Sequence, residues 1–410
     1  MMNTILKSIP PMITGGELRQ ALAVTPEYDT NICYASAAER LIALNNLYEI
    51  YYPFEEMSTQ IYSKIYLTLI HSLQKKTTKF AVQQRSQNYR ASNGQPYSGI
   101  VGGSDSFTII GRSGIGKSTA ICRAISLVGG HKIIETESPY SKIIPVLVVQ
   151  CPWDSSIKGL FLSILRTIDE TLETRYYQDA IRTHATTDLL IGTVSNACLN
   201  HIGLLIVDEV QNVANSKNGK NLIGSLTQLI NNSGISIAMV GTPESAPFFE
   251  QDYKLARRSL GLSINEIPFD SDFAGFVTTL YRYRYVSGEM ILTDGIIQWL
   301  YEHSGGITSN VVTLIHDALE ISILDGSEKV TLETLNAAYK QRLGLLHTHI
   351  DISRKQIAAK KAAEVDLPEK SDFTIFEKGL LAKLLTEAKE KEIPFISLLK
   401  ERTTVTEVSI

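Results

Sequence analysis

Four short apolar runs form the strongest hydrophobic pattern in the chain. They read FTIIG from residue 107, IIPVLVVQC from residue 143, GLLIVDE from residue 203 and SIAMVGT from residue 236, and helical patterns separate them. Apolar runs of this length without polar alternation are typical of strands that are buried on both faces, and hence of a parallel sheet covered by helices. The pattern therefore predicts an α/β fold for residues 106–269.

The flanking regions show different patterns. Residues 1–105 contain helical stretches and are predicted to be an N-terminal region. Residues 270–346 lose the strand-like runs and are predicted to form a small helical lid, in which Gly305 and Gly306 separate two helices. Residues 347–410 combine a charged linker with the amphipathic segment FEKGLLAKLLTEAKEKE, so we expect a tail that docks on a partner.

One window of the N-terminal region, residues 57–104, contains no Asp or Glu. Its basic residues include Lys64, Lys75, Lys76, Lys79, Arg85 and Arg90, and five aromatic residues are interleaved with them. Basic side chains can neutralise phosphates, and aromatic side chains can pack on sugars or on a partner protein. The window therefore indicates either a surface that contacts DNA or a partner, or the solvated basic face of an amphipathic helix.

Composition narrows the class of protein. The chain has 410 residues, 44% of them hydrophobic, and can bury a sizeable core. Its net charge of −4 gives no overall signal for nucleic acid, although a local basic patch can still bind it. The four cysteines are scattered and form no CxxC pair, which argues against a zinc site or a disulfide scaffold. With no apolar run near the roughly 18 residues of a membrane span, we expect a soluble cytoplasmic protein without a membrane partner.

The segment GRSGIGKST, residues 111–119, lies between the first predicted strand and a helix. This spacing fits a phosphate-binding P-loop, whose backbone N–H groups and helix N-terminus point at a phosphate. The predicted ATP-binding residues are Gly111, Arg112, Ser113, Gly114, Ile115, Gly116, Lys117, Ser118 and Thr119. Lys117 would contact the outer phosphates and Ser118 would hold Mg²⁺. An ordinary Gly/Ser turn would leave Lys117 unexplained.

Two adjacent carboxylates, Asp208 and Glu209, follow the apolar run GLLIV about 90 residues after the P-loop. Ligands of open α/β sheets bind at the carboxyl ends of the strands, and burying this pair without a cation would cost free energy. We therefore expect Asp208 to hold Mg²⁺, usually through water, and Glu209 to orient the water that attacks the terminal phosphate. Gln211 is either a relay of the nucleotide state toward DNA or a surface glutamine.

A further predicted strand ends at Thr242, whose hydroxyl could lie between the two carboxylates. The order of P-loop, acidic strand and Thr242 strand is typical of an AAA+ ATPase. About 15 residues later, Arg257 and Arg258 in YKLARRSLG could enter a neighbouring subunit's site and offset charge on the transferred phosphoryl group. The alternative is a basic surface helix. If they do act across subunits, the active species is a ring or a helical filament.

These segments together resemble the TnsC/TniB family of AAA+ regulators of DNA transposition, over roughly residues 28–345. The resemblance is carried by GRSGIGKST, LLIVDEVQNV, AMVGTPES and KLARRSLG, together with CPWDSSIKGL after the second predicted strand. It implies an ATPase that polymerises on duplex DNA and connects a TniQ- or TnsD-like target selector to a TnsA/TnsB-like transposase. One departure is Asn310, which stands where many AAA+ lids carry an arginine that contacts the nucleotide.

Residues that contact DNA are not fixed by this resemblance. Lys158, Arg175 and Arg182 follow the second predicted strand and are candidates, with a solvated helix face as the alternative. Two other functions remain open. One is a signalling or scaffold AAA+ ATPase that oligomerises without DNA, and the other, less favoured, is a helicase or translocase motor.

Overall fold

The computed structural model describes residues 4–76, 83, 86, 90, 106–137, 140–154, 156–214, 219–247 and 261–343. Two predicted features lie outside these ranges, namely the pair Arg257 and Arg258 and the tail that begins near residue 347. None of the helices in the described ranges is long and apolar enough to cross a membrane.

A six-stranded sheet forms the centre of the fold. Its strands are β1 (Phe107–Gly111), β2 (Ile134–Glu137), β3 (Tyr140–Gln150), β4 (Ile202–Asp208), β5 (Ser236–Gly241) and β6 (Leu262–Ile264). They pair in the order β2-β3-β4-β5-β1-β6, antiparallel between β2 and β3 and parallel elsewhere. The predicted α/β fold with a parallel sheet is therefore confirmed.

Helices cover both faces of this sheet. The described helices are α1 (Thr4–Lys7), α2 (Gly15–Leu22), α3 (Ala37–Ala43), α4 (Glu55–Lys76), α5 (Lys117–Leu127), α6 (Ile157–Leu172), α7 (Tyr176–Arg182), α8 (Thr187–His201), α9 (Gln211–Ala214), α10 (Gly219–Ser233), α11 (Ser271–Tyr281), α12 (Asp294–Ser304), α13 (Thr308–Leu324) and α14 (Leu332–Ala338). Along β4, Leu204 and Ile206 pack with α4 and α5, whereas Leu205 and Val207 pack with α6, α8 and α10. Since successive side chains of a strand point to opposite faces, an unbroken apolar run is what this double cover requires.

The N-terminal helices share the core of the sheet and the lid. Ile61, Ile65 and Leu69 of α4 are fully buried in the same apolar cluster as Leu204 of β4 and Leu314 of α13. Residues 4–76 therefore bury apolar surface against both the sheet and the helices that follow residue 270.

Two basic residues of the acid-free window have partners within the chain. The Lys64 ammonium lies over the Phe107 ring, 5.6 Å from its centroid. Lys76 donates hydrogen bonds to the carbonyls of Cys198 and Leu199 over 3.2 and 2.5 Å, near the C-terminus of α8. A lysine is favourable there because the last helical carbonyls carry partial negative charge. These contacts support a packing role for Lys64 and Lys76, while Lys79 and Arg85 lie outside the described residues.

The lid consists of α11 to α14 and joins the sheet through residues 265–270. Ile267 donates its N–H to the carbonyl of Gly306 over 3.1 Å. Gly306 has φ +71°, and a Cβ at this position would come within 2.5 Å of the Ile267 carbonyl. Glycine is therefore required at this close approach of two backbone segments.

Candidate nucleotide-binding site

The phosphate-binding loop connects β1 to α5. Gly114 has φ +80° and Gly116 has φ +94°, which glycine adopts without steric cost. Gly116 is the N-cap of α5 and has no side chain that could accept hydrogen bonds from the first N–H groups of the helix. The first N–H groups of a helix lack intrahelical partners, so the N-terminus of α5 is suited to bind an anion.

Lys117, the first residue of α5, is buried in this loop. It is 8% exposed, and its ammonium donates to the carbonyls of Gly111 and Arg112 over 2.5 and 2.8 Å. Burial lowers the pKa of the Lys117 ammonium, while the carboxylates of Asp208 and Glu209 act in the opposite direction. A buried ammonium among carbonyl oxygens and acidic groups is well placed to meet phosphate.

Arg112 faces the segment before the lid. Its guanidinium Nε lies 3.0 Å from a carboxylate oxygen of Glu266. The preceding Gly111 approaches the same segment closely, because a Cβ there would lie 2.7 Å from the Ile264 carbonyl. The start of the predicted loop therefore contacts β6 and the residues after it.

Ser118 and Asp208 lie together at the carboxyl ends of β1 and β4. The Ser118 hydroxyl donates to Asp208 Oδ2 over 3.2 Å. A hydroxyl and a carboxylate are oxygen donors of the kind that Mg²⁺ prefers. The donor set fits a magnesium ion held beside the phosphate-binding loop.

Glu209 follows the end of β4 in a conformation that is unusual for a residue with a side chain. Its φ is +59°, and its N–H donates to Asp208 Oδ1 over 2.8 Å. Left-handed backbone outside glycine is uncommon and recurs at functional sites. The Glu209 carboxylate accepts a hydrogen bond from the Gln211 side-chain amide.

Thr242 follows β5 and lines the same cavity. Its hydroxyl does not lie between Asp208 and Glu209, as the sequence led us to expect, but forms a hydrogen bond with Glu244. The Thr242 side chain hydrogen-bonds the Glu244 carboxylate, which is the largest cause lowering the pKa of that group. The Thr242 N–H donates to Gln211 Oε1 over 3.2 Å. The turn Pro243–Ser245 brings Glu244 to the Thr242 hydroxyl, so this hydroxyl is not directed at the acidic pair. The end of β5 is instead connected to Glu209 through the Gln211 side chain.

These elements enclose a cavity of about 320 Å³, a volume in the usual range for ligand pockets. Its polar side is formed by residues 113–119, Asp208, Glu209, Gln211 and Thr242. Its apolar side, which sequence reasoning missed, comes from the N-terminal region and the lid: Tyr48, Ile50, Tyr51, Tyr52, Phe54, Met57, Phe276 and Val312. Aromatic and aliphatic side chains beside a phosphate-binding loop suit the base and sugar of a nucleotide.

The lid contacts the phosphate-binding loop through one carbonyl. Gly114 accepts hydrogen bonds from the Thr308 hydroxyl over 2.9 Å and from the Ser309 N–H over 3.0 Å. Asn310 instead donates its side-chain amide to the Ser304 carbonyl over 3.2 Å. The residues of α13 that form hydrogen bonds to the loop are therefore Thr308 and Ser309, which immediately precede Asn310, the position where many AAA+ lids carry an arginine.

The DNA candidates lie around the start of α6 and on α7. Lys158 lies exposed in the first turn of α6, Arg175 precedes α7, and Arg182 ends α7 with an ion pair to Asp179 at 3.5 Å. Sequence reasoning assigned no role to Trp153, which is 88% exposed in the loop between β3 and α6.

The mostly parallel sheet, the glycine loop before α5 and the acidic pair at the end of β4 are the features of a P-loop protein of the AAA+ type. β5, which Thr242 follows, lies between the P-loop strand β1 and the acidic strand β4. The predicted AAA+ fold is confirmed, and the site contains the residue types that ATP hydrolysis requires.

Within this class, residues 103–264 match the family model of the bacterial TniB protein. The resemblance drawn from the sequence is confirmed over that range, which holds the loop, the acidic pair and β5. A comparison with curated proteins gives no match.

Similar solved structures include the Aeropyrum pernix ORC1 protein in complex with DNA, at 14% identity, with 76% of this chain and 71% of that chain covered and a TM-score of 0.41. Cdc6p from Pyrobaculum aerophilum is similar at 12% identity, with 73% and 76% covered and a TM-score of 0.41. Domain III of the Thermotoga maritima replication initiation protein DnaA is similar at 16% identity, with 58% and 84% covered and a TM-score of 0.36.

Proposed function

We propose that the chain is an ATP-dependent, DNA-binding regulator of DNA transposition. It oligomerises on duplex DNA in the cytoplasm, links a TniQ- or TnsD-like target selector to TnsA/TnsB-like transposase subunits, and is reset by ATP hydrolysis. The observation that carries this proposal is the match of residues 103–264 to the bacterial TniB protein, because this range contains the phosphate-binding loop, Asp208, Glu209, Gln211 and Thr242.

Each residue of the site has a proposed role. Lys117 and the N–H groups of residues 113–119 bind the phosphates, and Ser118 with Asp208 holds Mg²⁺, which offsets phosphate charge when bound. Glu209 orients the attacking water, supported by its position beside Asp208 at the end of β4. Preorganised carboxylates of this kind act by positioning and by electrostatic stabilisation.

Arg257 and Arg258 are proposed to act on the site of a neighbouring subunit. Among the described residues that line the cavity, Lys117 is the one cationic side chain, and a second cation would help to stabilise charge that develops on the transferred phosphoryl group. If a neighbouring subunit supplies that cation, ATP turnover depends on assembly of the subunits in a ring or filament.

The proposed DNA surface includes Lys158, Arg175 and Arg182. Trp153 lies five residues before Lys158 in the sequence, and its exposed ring could stack on a base or sugar. Arg182 is the weakest of these candidates because Asp179 already pairs with it. The tail, residues 347–410, is proposed to dock on a protein partner, and the N-terminal window 57–104 is proposed to contact a partner or DNA.

A mobility-shift assay with duplex DNA tests this function. Binding should require a non-hydrolysable ATP analogue, show little sequence preference and weaken steeply as salt rises, because phosphate contacts release counterions. Electron microscopy of the same mixture should show rings or filaments on the duplex. The Lys158→Ala variant should bind all duplex sequences more weakly than the wild type. Arg166→Ala is the matched control, because Arg166 is an exposed residue of the same helix that is already paired with Glu170.

The second candidate is a signalling or scaffold AAA+ ATPase that oligomerises without DNA. The net charge of −4 favours it, because the chain as a whole does not attract a polyanion. Nucleotide-dependent assembly with no shift of duplex DNA at low salt would support this candidate and refute the first.

A further inference from the structure

The side chain of Gln211 joins the acidic strand to the neighbouring strand at the cavity. Gln211 is the first residue of α9, two positions after Glu209. Its amide nitrogen donates to Glu209 Oε2, and its amide oxygen accepts from the Thr242 N–H over 3.2 Å. One carboxamide thereby connects the carboxylate after β4 with the backbone after β5.

These two partners determine which way the amide faces. A backbone N–H is a donor, so the Gln211 atom that faces Thr242 must be the oxygen. The NH₂ group must then face Glu209, which as a carboxylate offers acceptors alone. Glutamine satisfies both partners at once, whereas glutamate at this position would place two carboxylates together.

The surrounding backbone fixes the position of Gln211. Val210 donates its N–H to the Val240 carbonyl over 3.0 Å, and the Asn212 side chain donates to the Cys151 carbonyl over 3.0 Å. A Cβ at Gly241 would lie 3.2 Å from Gln211 Oε1, so the absence of a side chain at Gly241 leaves room for the amide. The segment 209–212 is therefore held to both neighbouring strands, with Gln211 packed over the end of β5.

We propose that Gln211 is the positioning residue for Glu209 and couples that carboxylate to the end of β5. This inference rests on the proposed role of Glu209 in orienting the attacking water. A glutamate side chain has three rotatable bonds, and a hydrogen bond to its charged group selects among their conformers. With Oε2 held by Gln211, Oε1 is the oxygen that we assign to the attacking water. A displacement of Thr242 beside the bound nucleotide would move the amide and, with it, the carboxylate.

Steady-state ATPase kinetics of Gln211→Ala test the inference. We expect kcat to fall about tenfold while KM for ATP and affinity for a non-hydrolysable analogue stay within about twofold, because Gln211 orients a carboxylate and does not hold phosphate. Gln211→Asn, one methylene shorter, should span the two partners poorly and give a similar loss. Gln211→Glu should lose more, since it removes the donor and adds a like charge.

Asn212→Ala is the matched control, because it removes the side-chain amide that donates to the Cys151 carbonyl and keeps the backbone N–H that donates to the Glu209 carbonyl over 3.0 Å. It should leave kcat near the wild-type value even where it lowers the melting temperature. The decisive comparison adds Gln211→Ala to Glu209→Gln, measured by single turnover. If Gln211 acts through Glu209, the double variant should turn over at the rate of Glu209→Gln alone.

Unchanged or raised kcat in Gln211→Ala would overturn the inference, as would a further tenfold loss in the Glu209→Gln background. A Glu209→Gln variant that hydrolyses ATP at the wild-type rate would instead refute the proposed role of Glu209. None of these assays contains DNA, so failure of the transposition proposal would leave their outcome unaffected.

Discussion

The Thr308 hydroxyl donates a hydrogen bond to the Gly114 carbonyl over 2.9 Å, which joins the first residue of the lid helix α13 to the phosphate-binding loop. The adjacent Ser309 N–H donates to the same carbonyl over 3.0 Å. One bond comes from a side chain and the other from the backbone, so substitution can remove the first and leave the second.

Replacement of Thr308 by Val should speed release of nucleotide. Val keeps the shape of Thr but cannot donate, and a typical hydrogen bond contributes about 0.5–1.5 kcal/mol. Dissociation of a fluorescent ATP analogue, followed by stopped flow, should therefore accelerate by about 2- to 10-fold with little change in the association rate. Ser309→Ala is the control, because it keeps the N–H that contacts Gly114. Equal acceleration in both variants would mean that the hydroxyl bond is not the cause.

Lys117→Ala and Glu209→Gln should separate binding from turnover. Lys117→Ala removes the buried ammonium of the loop and should abolish nucleotide binding. Glu209→Gln should preserve binding and lower kcat by about 10² or more, because a neutral amide cannot accept a proton from water. Equilibrium binding of an ATP analogue and steady-state hydrolysis measure the two effects. Loss of binding in the Glu209 variant would assign this residue to the ligand pocket instead of the chemistry.

Local sequence was enough to predict the phosphate-binding loop and the acidic pair. It could not predict the cavity residues from the N-terminal region and the lid, because their positions depend on long-range packing. The loop of residues 111–119 and the pair Asp208–Glu209 each combine a strand end with its own following residues, so their geometry is encoded within a few positions. Tyr52 and Thr308 both line the cavity although they are far apart in the sequence, one in the N-terminal region and the other in the lid. No pattern near either residue predicts that meeting, because it depends on how the N-terminal helices and the lid pack.

The role of Gln211 could not be predicted from sequence alone either, although this residue lies only two positions after Glu209. Its sequence position beside the acidic pair is compatible with a relay of the nucleotide state, but a surface glutamine is the simpler interpretation of the same pattern. The contact with Thr242 depends on β5 lying next to β4, which is a property of the sheet order. The apolar runs predicted that both segments are strands, but not which strands are neighbours.

The ion pair of Arg40 with Glu328 should make stability depend on acid pH. Arg40 contacts both Glu328 carboxylate oxygens, at 2.7 and 2.8 Å, and the pKa of Glu328 is lowered from 4.5 to about 2. A group with a lowered folded pKa stabilises the protein above its unfolded pKa, and this stabilisation is lost as pH falls toward the folded pKa. The loss should fall between about pH 4.5 and pH 2 and amount to about 3 kcal/mol at most.

Urea unfolding at a series of pH values checks this expectation. In Glu328→Gln the free energy of unfolding should be lower at neutral pH and should depend less on pH within that window than in the wild type. Glu333→Gln, which changes an exposed carboxylate at the start of α14, should keep the wild-type dependence. Parallel curves for the wild type and Glu328→Gln would show that this pair does not control the acid transition.

The paired arginines should make ATPase activity cooperative. If Arg257 and Arg258 complete a neighbour's site, specific activity should rise with protein concentration, because dilution separates each site from the guanidinium that its neighbour supplies. Changing both residues to Ala should leave nucleotide affinity nearly unchanged and abolish turnover. Constant specific activity across the concentrations at which assembly is observed would contradict this prediction.

Mixing two inactive variants tests whether those arginines are shared between subunits. The Arg257→Ala/Arg258→Ala variant keeps an intact phosphate-binding loop, and Lys117→Ala keeps intact arginines. In a mixed assembly, some sites combine the intact loop of one subunit with the arginines of the next, so hydrolysis should return in part although each variant alone is inactive. Titration at fixed total protein should give greatest activity near equal proportions, because the number of such neighbours is then greatest. If both variants are folded and co-assemble but their mixture hydrolyses no ATP, the arginines do not act across subunits, and a ring or filament is no longer needed to complete the site.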